Sequence, residues 1–238
     1  MTYIISDIHG CYQAYLALLE KIGFSDSDEL YVLGDMVDRG PEPMKVLQDM
    51  MARPNVYPIL GNHDYMALTM LSKLNVEITA ENAETHLTAD DITGYLHWTQ
   101  DGGEVTARQF RALSPEERTD VLDYLADCSL YELVQAGGNS YVLVHAGLNG
   151  FAPGKDLEDY HYSDLIFHRA DYSRRYFPKW NTYLVTGHTP TMSIREDREP
   201  LVYEGYGHIA VDCGCVFGGQ LAAYCLETQK AVYVRRKG

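Results

Sequence analysis

The stretch Gly34-Asp35-Met36-Val37-Asp38-Arg39-Gly40-Pro41 decides how the rest of this chain is read. It follows the apolar run Leu30-Tyr31-Val32-Leu33 and precedes a helical pattern, which makes it a loop between a strand and a helix. In α/β folds, the ground beyond the carboxyl end of a strand is where ligand chemistry gathers. Two carboxylates, Asp35 and Asp38, and one guanidinium, Arg39, stand between glycines that let backbone approach a ligand closely. Neighbouring carboxylates repel each other, whereas a bound divalent metal stabilises both. Arg39 suits an anion, most naturally a phosphate held in a bidentate fork. A polar turn with one Asp-Arg ion pair has the same local sequence, so the flanking segments must decide.

Two more strand ends carry similar clusters. Tyr3-Ile4-Ile5 reads as a buried strand running into Ser6-Asp7-Ile8-His9-Gly10. Asp7 and His9, two apart in an extended segment, project to one side and suit a single divalent metal. Val56-Tyr57-Pro58-Ile59-Leu60 ends in Gly61-Asn62-His63-Asp64, where Asn62 offers a carbonyl oxygen and His63 a proton near neutral pH. Helical patterns lie between, over 11–22 with Gly23 as a stop, and from Pro41 to Met51 with Pro54 beyond. Strand, polar cluster and helix thus recur three times before residue 75, which places the clusters at one edge of a sheet.

Downstream, residues 75–128 carry helical signals and no ligand cluster, and are expected to form a helical insertion serving as a lid or flank of the cleft. Thr88-Ala89-Asp90-Asp91 opens one helix and the capping box Ser114-Pro115-Glu116-Glu117 another; His86 and His97 are ordinary surface or packing histidines. The second half returns to strands. A hairpin over 131–134 and 141–144 turns at Gly137-Gly138-Asn139 and ends in His145-Ala146-Gly147. Another strand, 183–185, closes on Gly187-His188-Thr189-Pro190. Arg169 follows a short apolar run at 165–167, and segments 201–203, 209–212, 220–226 and 232–234 are expected as a closing run of antiparallel strands.

Length and composition bound the function. The chain has 238 residues, 46% hydrophobic and 22% charged, within the range of globular proteins. A net charge of −15 argues against nucleic acid as partner, and no apolar run spans a bilayer. The start, MTYIISDIHG, shows no secretory signal, so the expected location is cytoplasmic. Five cysteines without a CxxC pair are expected reduced and partly buried.

Asp7, His9, Asp35, Asn62, His145 and His188 all fall at strand ends, an oxygen and nitrogen set that suits two divalent metals bridged by one carboxylate. The ordered set SDIHG, GDMVDRG, GNHD, HAG and GHTP resembles the phosphoprotein phosphatase branch of the calcineurin-like metallophosphoesterases, over Ser6 to Pro190. The resemblance implies an α/β four-layer sandwich, with two central mixed β-sheets flanked by helices and forming one catalytic domain. It implies that Asp7, His9 and Asp35 bind the first metal, and that Asp35 bridges to a second held by Asn62, His145 and His188. It makes His63 the general acid oriented by Asp38, with Arg39, Arg169 and Asn62 on the phosphate. His168 stands where the family often has tryptophan, Ser6 where glycine is frequent, and Asp64 where eukaryotic members carry glutamate.

By the same resemblance the metals are Mn2+, with iron or zinc also accepted by the ligand set. The implied reaction is phosphomonoester hydrolysis by in-line attack of metal-bound hydroxide, as in bacterial and phage serine/threonine protein phosphatases, on a phosphoprotein or small phosphoester. GNHD fits symmetrical diadenosine tetraphosphate hydrolases too, whereas GDMVDRG keeps Asp38 and Arg39 in the phosphatase pattern. A non-catalytic phosphoprotein-binding scaffold is the alternative from another class, disfavoured because every expected ligand is present.

Overall fold

The computed structural model describes residues 1–77, 79, 81–82 and 86–236. The chain opens with β1 (Thr2–Ile5), α1 (Tyr12–Ile22), β2 (Glu29–Leu33), α2 (Pro43–Met51), β3 (Val56–Ile59) and α3 (Asn62–Leu74). The three strands pair in parallel, as the strand-loop-helix repetition requires. Helices α4 (Ala89–Trp98), α5 (Glu104–Ala112) and α6 (Pro115–Ala126) follow, with a wide turn over Thr99–Gly103 between the first two. The expected insertion includes residues 78, 80 and 83–85, which lie outside the described residues. Thr88 and Ser114 both accept from the backbone N–H three residues on, so the start signals of α4 and α6 act as their sequences imply.

The remainder comprises β4 (Tyr131–Ala136), β5 (Asn139–Val144), a short α7 (Tyr162–Ile166), β6 (Thr182–Thr186), β7 (Tyr203–Gly205), β8 (His208–Ala210), β9 (Gln220–Cys225) and β10 (Lys230–Arg235). The β4–β5 hairpin turns at Gly137 and Gly138, both left-handed at φ 56° and 79°, the geometry that two-residue hairpins need. Among the described residues the strands form two five-stranded mixed sheets, ordered β10-β9-β1-β2-β3 and β4-β5-β6-β8-β7.

The closing strands depart from the expected antiparallel run. They divide between the sheets: β9 and β10 extend the first beside β1, while β8 joins the second in parallel with β6. All three β8 residues are buried, as a central strand demands; its antiparallel partner β7 starts at Tyr203 rather than Leu201.

Alternation along the strands sets the layers. Ile4, Leu33 and Ile59 point from the first sheet into a core shared with Tyr141, Leu143, Val185 and Ile209 of the second. Their neighbours Ile5, Leu30 and Val32 face Leu18, Val46 and Leu47 of α1 and α2. The outer face of the second sheet is covered by Leu165 and Ile166 of α7 with Tyr160 and Tyr176 from loops. The architecture is the expected α/β sandwich of two mixed sheets flanked by helices, although loops supply much of its last layer. Stacking the sheets brings the carboxyl ends of β1, β2, β3, β5, β6 and β8 to one cleft.

Candidate active site

The loops beyond β1 and β2 are stitched together. Asp7 N–H donates to the Gly34 carbonyl at 3.0 Å, His9 N–H to Asp35 at 2.8 Å and Gly10 N–H to Met36 at 2.9 Å. Asp7 and His9 share a side for a different reason than their sequence spacing implies. Neither is extended; both are left-handed, at φ 52° and 45°. Asp35, Asp38, Arg39 and His188 are left-handed as well, so the site loops rest in backbone states that side chains resist. The 34–41 loop also runs longer than expected. Glu42 N–H donates to the Gly10 carbonyl at 3.0 Å, and α2 starts at Pro43, not at Pro41.

Asp35 sits at the centre. Its Oδ1 accepts the backbone N–H of His63 at 2.9 Å, so the amino end of α3 supports the carboxylate. His145 Nε2 stands 3.5 Å from Oδ1 and His9 Nε2 3.6 Å from Oδ2. Asp64, which sequence reasoning treated only as a departure from the family, fixes this geometry from behind. It accepts N–H groups from Asp35 at 2.7 Å, Met36 at 2.9 Å and Gly61 at 3.1 Å. Burial pushes its carboxyl up to about 6.

Tautomers follow from the hydrogen bonds. Nδ1 of His145 donates to the Leu33 carbonyl at 2.6 Å and Nδ1 of His9 to Val37 at 2.8 Å. Burial holds both imidazoles neutral, well below the ordinary histidine range, so each Nε2 turns a lone pair toward the cleft, that of His9 accepting from Arg39. His145 Nε2 meets Asn62 Oδ1 at 3.0 Å and His188 Nδ1 at 3.2 Å; His188 Nδ1 is 2.9 Å from the same oxygen. At most one proton serves these three atoms. Asp7 and Asp35 are buried, and desolvation followed by neighbouring carboxylates raises both. Converging lone pairs beside buried carboxylates are the chemistry of a cation site.

The donor atoms fall into two clusters that share Asp35: His9, Asp35 and His63, and Asp35, His145 and His188, with ligand atoms within 4.8 Å of one another. Asn62 adjoins the second. Asp7 belongs to neither; its Oδ2 is taken by Ser6 Oγ and the His188 N–H. A sharing carboxylate with histidines on both sides fits two divalent ions.

His63 Nδ1 pairs with Asp38 Oδ2 at 2.7 Å, leaving Nε2 toward the cleft. Asp38 is held in turn by Trp98 Nε1–H on Oδ2 at 2.7 Å and Thr106 Oγ1–H on Oδ1 at 2.6 Å. Arg39 reaches His9 Nε2 with Nη1 at 2.8 Å and Asp101 with Nη2 at 2.9 Å. The exposed Arg169 also lines the cleft, as do Asp212 and Phe217, whose ring centroid lies 5.3 Å from Arg39 Cζ. The cleft has a volume of about 250 Å³.

Sequence reasoning missed Trp98, Asp101, Thr106, Asp212 and Phe217. Asp212 follows β8 as the other acids follow their strands, so the strand-end rule could have found it. The three residues on or between α4 and α5 carry no local signal.

A family model described as calcineurin-like phosphoesterase matches residues 2–234. The chain belongs to this family. It is a metallophosphoesterase, a hydrolase whose family binds divalent metals. An asymmetrical bis(5'-nucleosyl)-tetraphosphatase of Geobacillus sp. (strain WCH70) is 28% identical over 93% of this chain and 88% of its own. A symmetrical bis(5'-nucleosyl)-tetraphosphatase of Cellvibrio japonicus (strain Ueda107) is 29% identical over 95% of this chain and 96% of its own. Among solved structures, one titled as a putative diadenosine tetraphosphatase superposes with a TM-score of 0.65 at 21% identity, covering 98% of this chain and 92% of that one. At that identity the likeness speaks for the fold.

Proposed function

We propose that this metallophosphoesterase hydrolyses the phosphoanhydride of bis(5'-nucleosyl) tetraphosphates, in preference to the phosphoserine or phosphothreonine of proteins. The observation that carries the reading is the near full-length likeness to enzymes named for that substrate, in both symmetrical and asymmetrical forms. The cleft agrees with it. Arg39 and Arg169 set two cations into the rim of a chain with net charge −15, where a polyphosphate needs them. Phe217, 59% exposed, offers a face at the mouth on which a base can stack.

In this reading His9, Asp35, His145, His188 and Asn62 hold two divalent ions, Mn2+ by family resemblance, with Asp7 completing the set by a turn of its side chain. Bound there, such ions supply Lewis acidity and an activated water. The chain's own groups do the rest. Arg39 and Arg169 bind the non-bridging oxygens of the phosphate under attack. His63, protonated on both nitrogens, gives its Nε2 proton to the departing oxygen, while Asp38 accepts from Nδ1–H, sets the ring angle and balances the charge of the doubly protonated ring. Trp98 and Thr106 saturate Asp38, so the helical segment belongs to the same catalytic unit as the sheets.

The test is turnover of diadenosine tetraphosphate by metal-loaded protein, with products separated by chromatography. Two ADP identify symmetrical cleavage; ATP with AMP identifies asymmetrical cleavage. Efficient turnover of phosphopeptides with none of the dinucleotide would overturn the proposal.

A further inference from the structure

Asp101 lies on the wide turn between α4 and α5, and its side chain is 55% exposed. The turn beneath it is nonetheless built against the cleft. The carbonyl of Gly102 accepts the Arg39 N–H at 2.9 Å. Gly102 has φ 105°, and a Cβ there would fall 2.5 Å from Arg39 Cγ, so only glycine lets the turn approach this closely. Gly103 rests on the Trp98 indole, where a Cβ would come within 2.3 Å, and that indole is anchored on Asp38. The carboxylate is thereby delivered to two atoms at once. Oδ1 accepts from Arg39 Nη2 at 2.9 Å, and Oδ2 stands 3.5 Å from His63 Nε2.

Those are the atoms assigned above to a phosphate oxygen and to the departing oxygen. We propose that Asp101 is a specificity-determining residue, a charge filter that occupies the anion seat and must yield it to a substrate. Its negative charge opposes each incoming phosphate in proportion to the charge that phosphate carries. An internal phosphate of a polyphosphate chain carries one, whereas a monoester or free orthophosphate at neutral pH carries close to two. Asp101 therefore disfavours monoesters and hastens release of phosphate, a use of repulsion to set specificity. The inference rests on the phosphate seat at Arg39 in the preceding reading, not on a nucleotide being the substrate.

Asp101→Asn keeps the side-chain shape and removes the charge. Three quantities are measured on metal-loaded protein: orthophosphate affinity by calorimetric titration, and kcat/KM for p-nitrophenyl phosphate and for bis(p-nitrophenyl) phosphate. The variant is expected to bind orthophosphate about tenfold tighter and to raise kcat/KM for the monoester about tenfold, with the diester changing less than about threefold. Unchanged or weaker orthophosphate binding overturns the proposal, as does an equal change on both esters. Arg39→Ala is expected to lose most orthophosphate affinity; if it does not, the seat lies elsewhere and the filter falls with it. Diadenosine tetraphosphate appears nowhere in this test, so a different natural substrate leaves its outcome readable.

Discussion

At His63 the imidazole is aimed by Asp38 and has one nitrogen left for chemistry. His63→Ala is expected to lower kcat by about 10²–10⁴-fold on alkyl phosphate esters, and far less on p-nitrophenyl phosphate, whose leaving group hardly needs a proton. Paired steady-state kinetics on the two ester classes check this. Asp64→Ala would strip four backbone N–H groups of their buried partner. At about 1–3 kcal/mol for each orphaned group, urea unfolding should show a loss of several kcal/mol, with weaker metal uptake because Asp35 loses its backing. The candidate ligand positions can be read from sequence because each follows an apolar strand, and a strand end announces itself locally. Asp64 was harder to read: apart from Gly61, its partners are the backbone groups of a loop nearly thirty residues earlier, and no side-chain pattern records them.

At the level of elements, the α4–α5 segment is tied into the candidate site through Asp38. Trp98→Phe keeps the packing and deletes one donor to Asp38; unfolding should register a loss of about 1–3 kcal/mol. Its kcat should fall with KM nearly unchanged, since the lost contact acts through His63. Substrate-saturation curves separate the two effects. Sequence placed α4 and α6 from their caps, yet it did not place α5 and could not tell that α4 and α5 reach Asp38. Trp98 and Thr106 stand sixty and sixty-eight positions from Asp38, and such a meeting is fixed by how helices pack, not by local spacing. The splitting of the closing strands between two sheets was hidden for a related reason: short strands alternate alike whichever neighbour they pair with.

For the whole molecule, charge dominates the response to conditions. Asp7 and Asp35 are buried with few cations nearby, so metal binding should stabilise the fold itself. Adding Mn2+ to chelator-treated protein at a hundred times its dissociation constant should add about 2.7 kcal/mol, read as a rise in Tm. Acid should act through His208, which burial between the sheet and Tyr172 holds down to about 3, against an ordinary 6.5. The unfolded chain takes up that proton first, so the stability due to the neutral ring is complete above pH 6.5 and drains as pH falls toward 3. Between pH 7 and 5 the loss should be about 2 kcal/mol greater in the wild type than in His208→Gln, as urea unfolding at the two pH values will show. The six left-handed site residues have a further meaning for anyone hoping to toughen this enzyme. Replacing Arg39 or His9 by glycine relaxes the chain where alanine would not, so selection for heat resistance alone would drift toward these positions. What it recovered there would be sturdier and inert, because the contortion that weakens the scaffold is what turns its working groups inward.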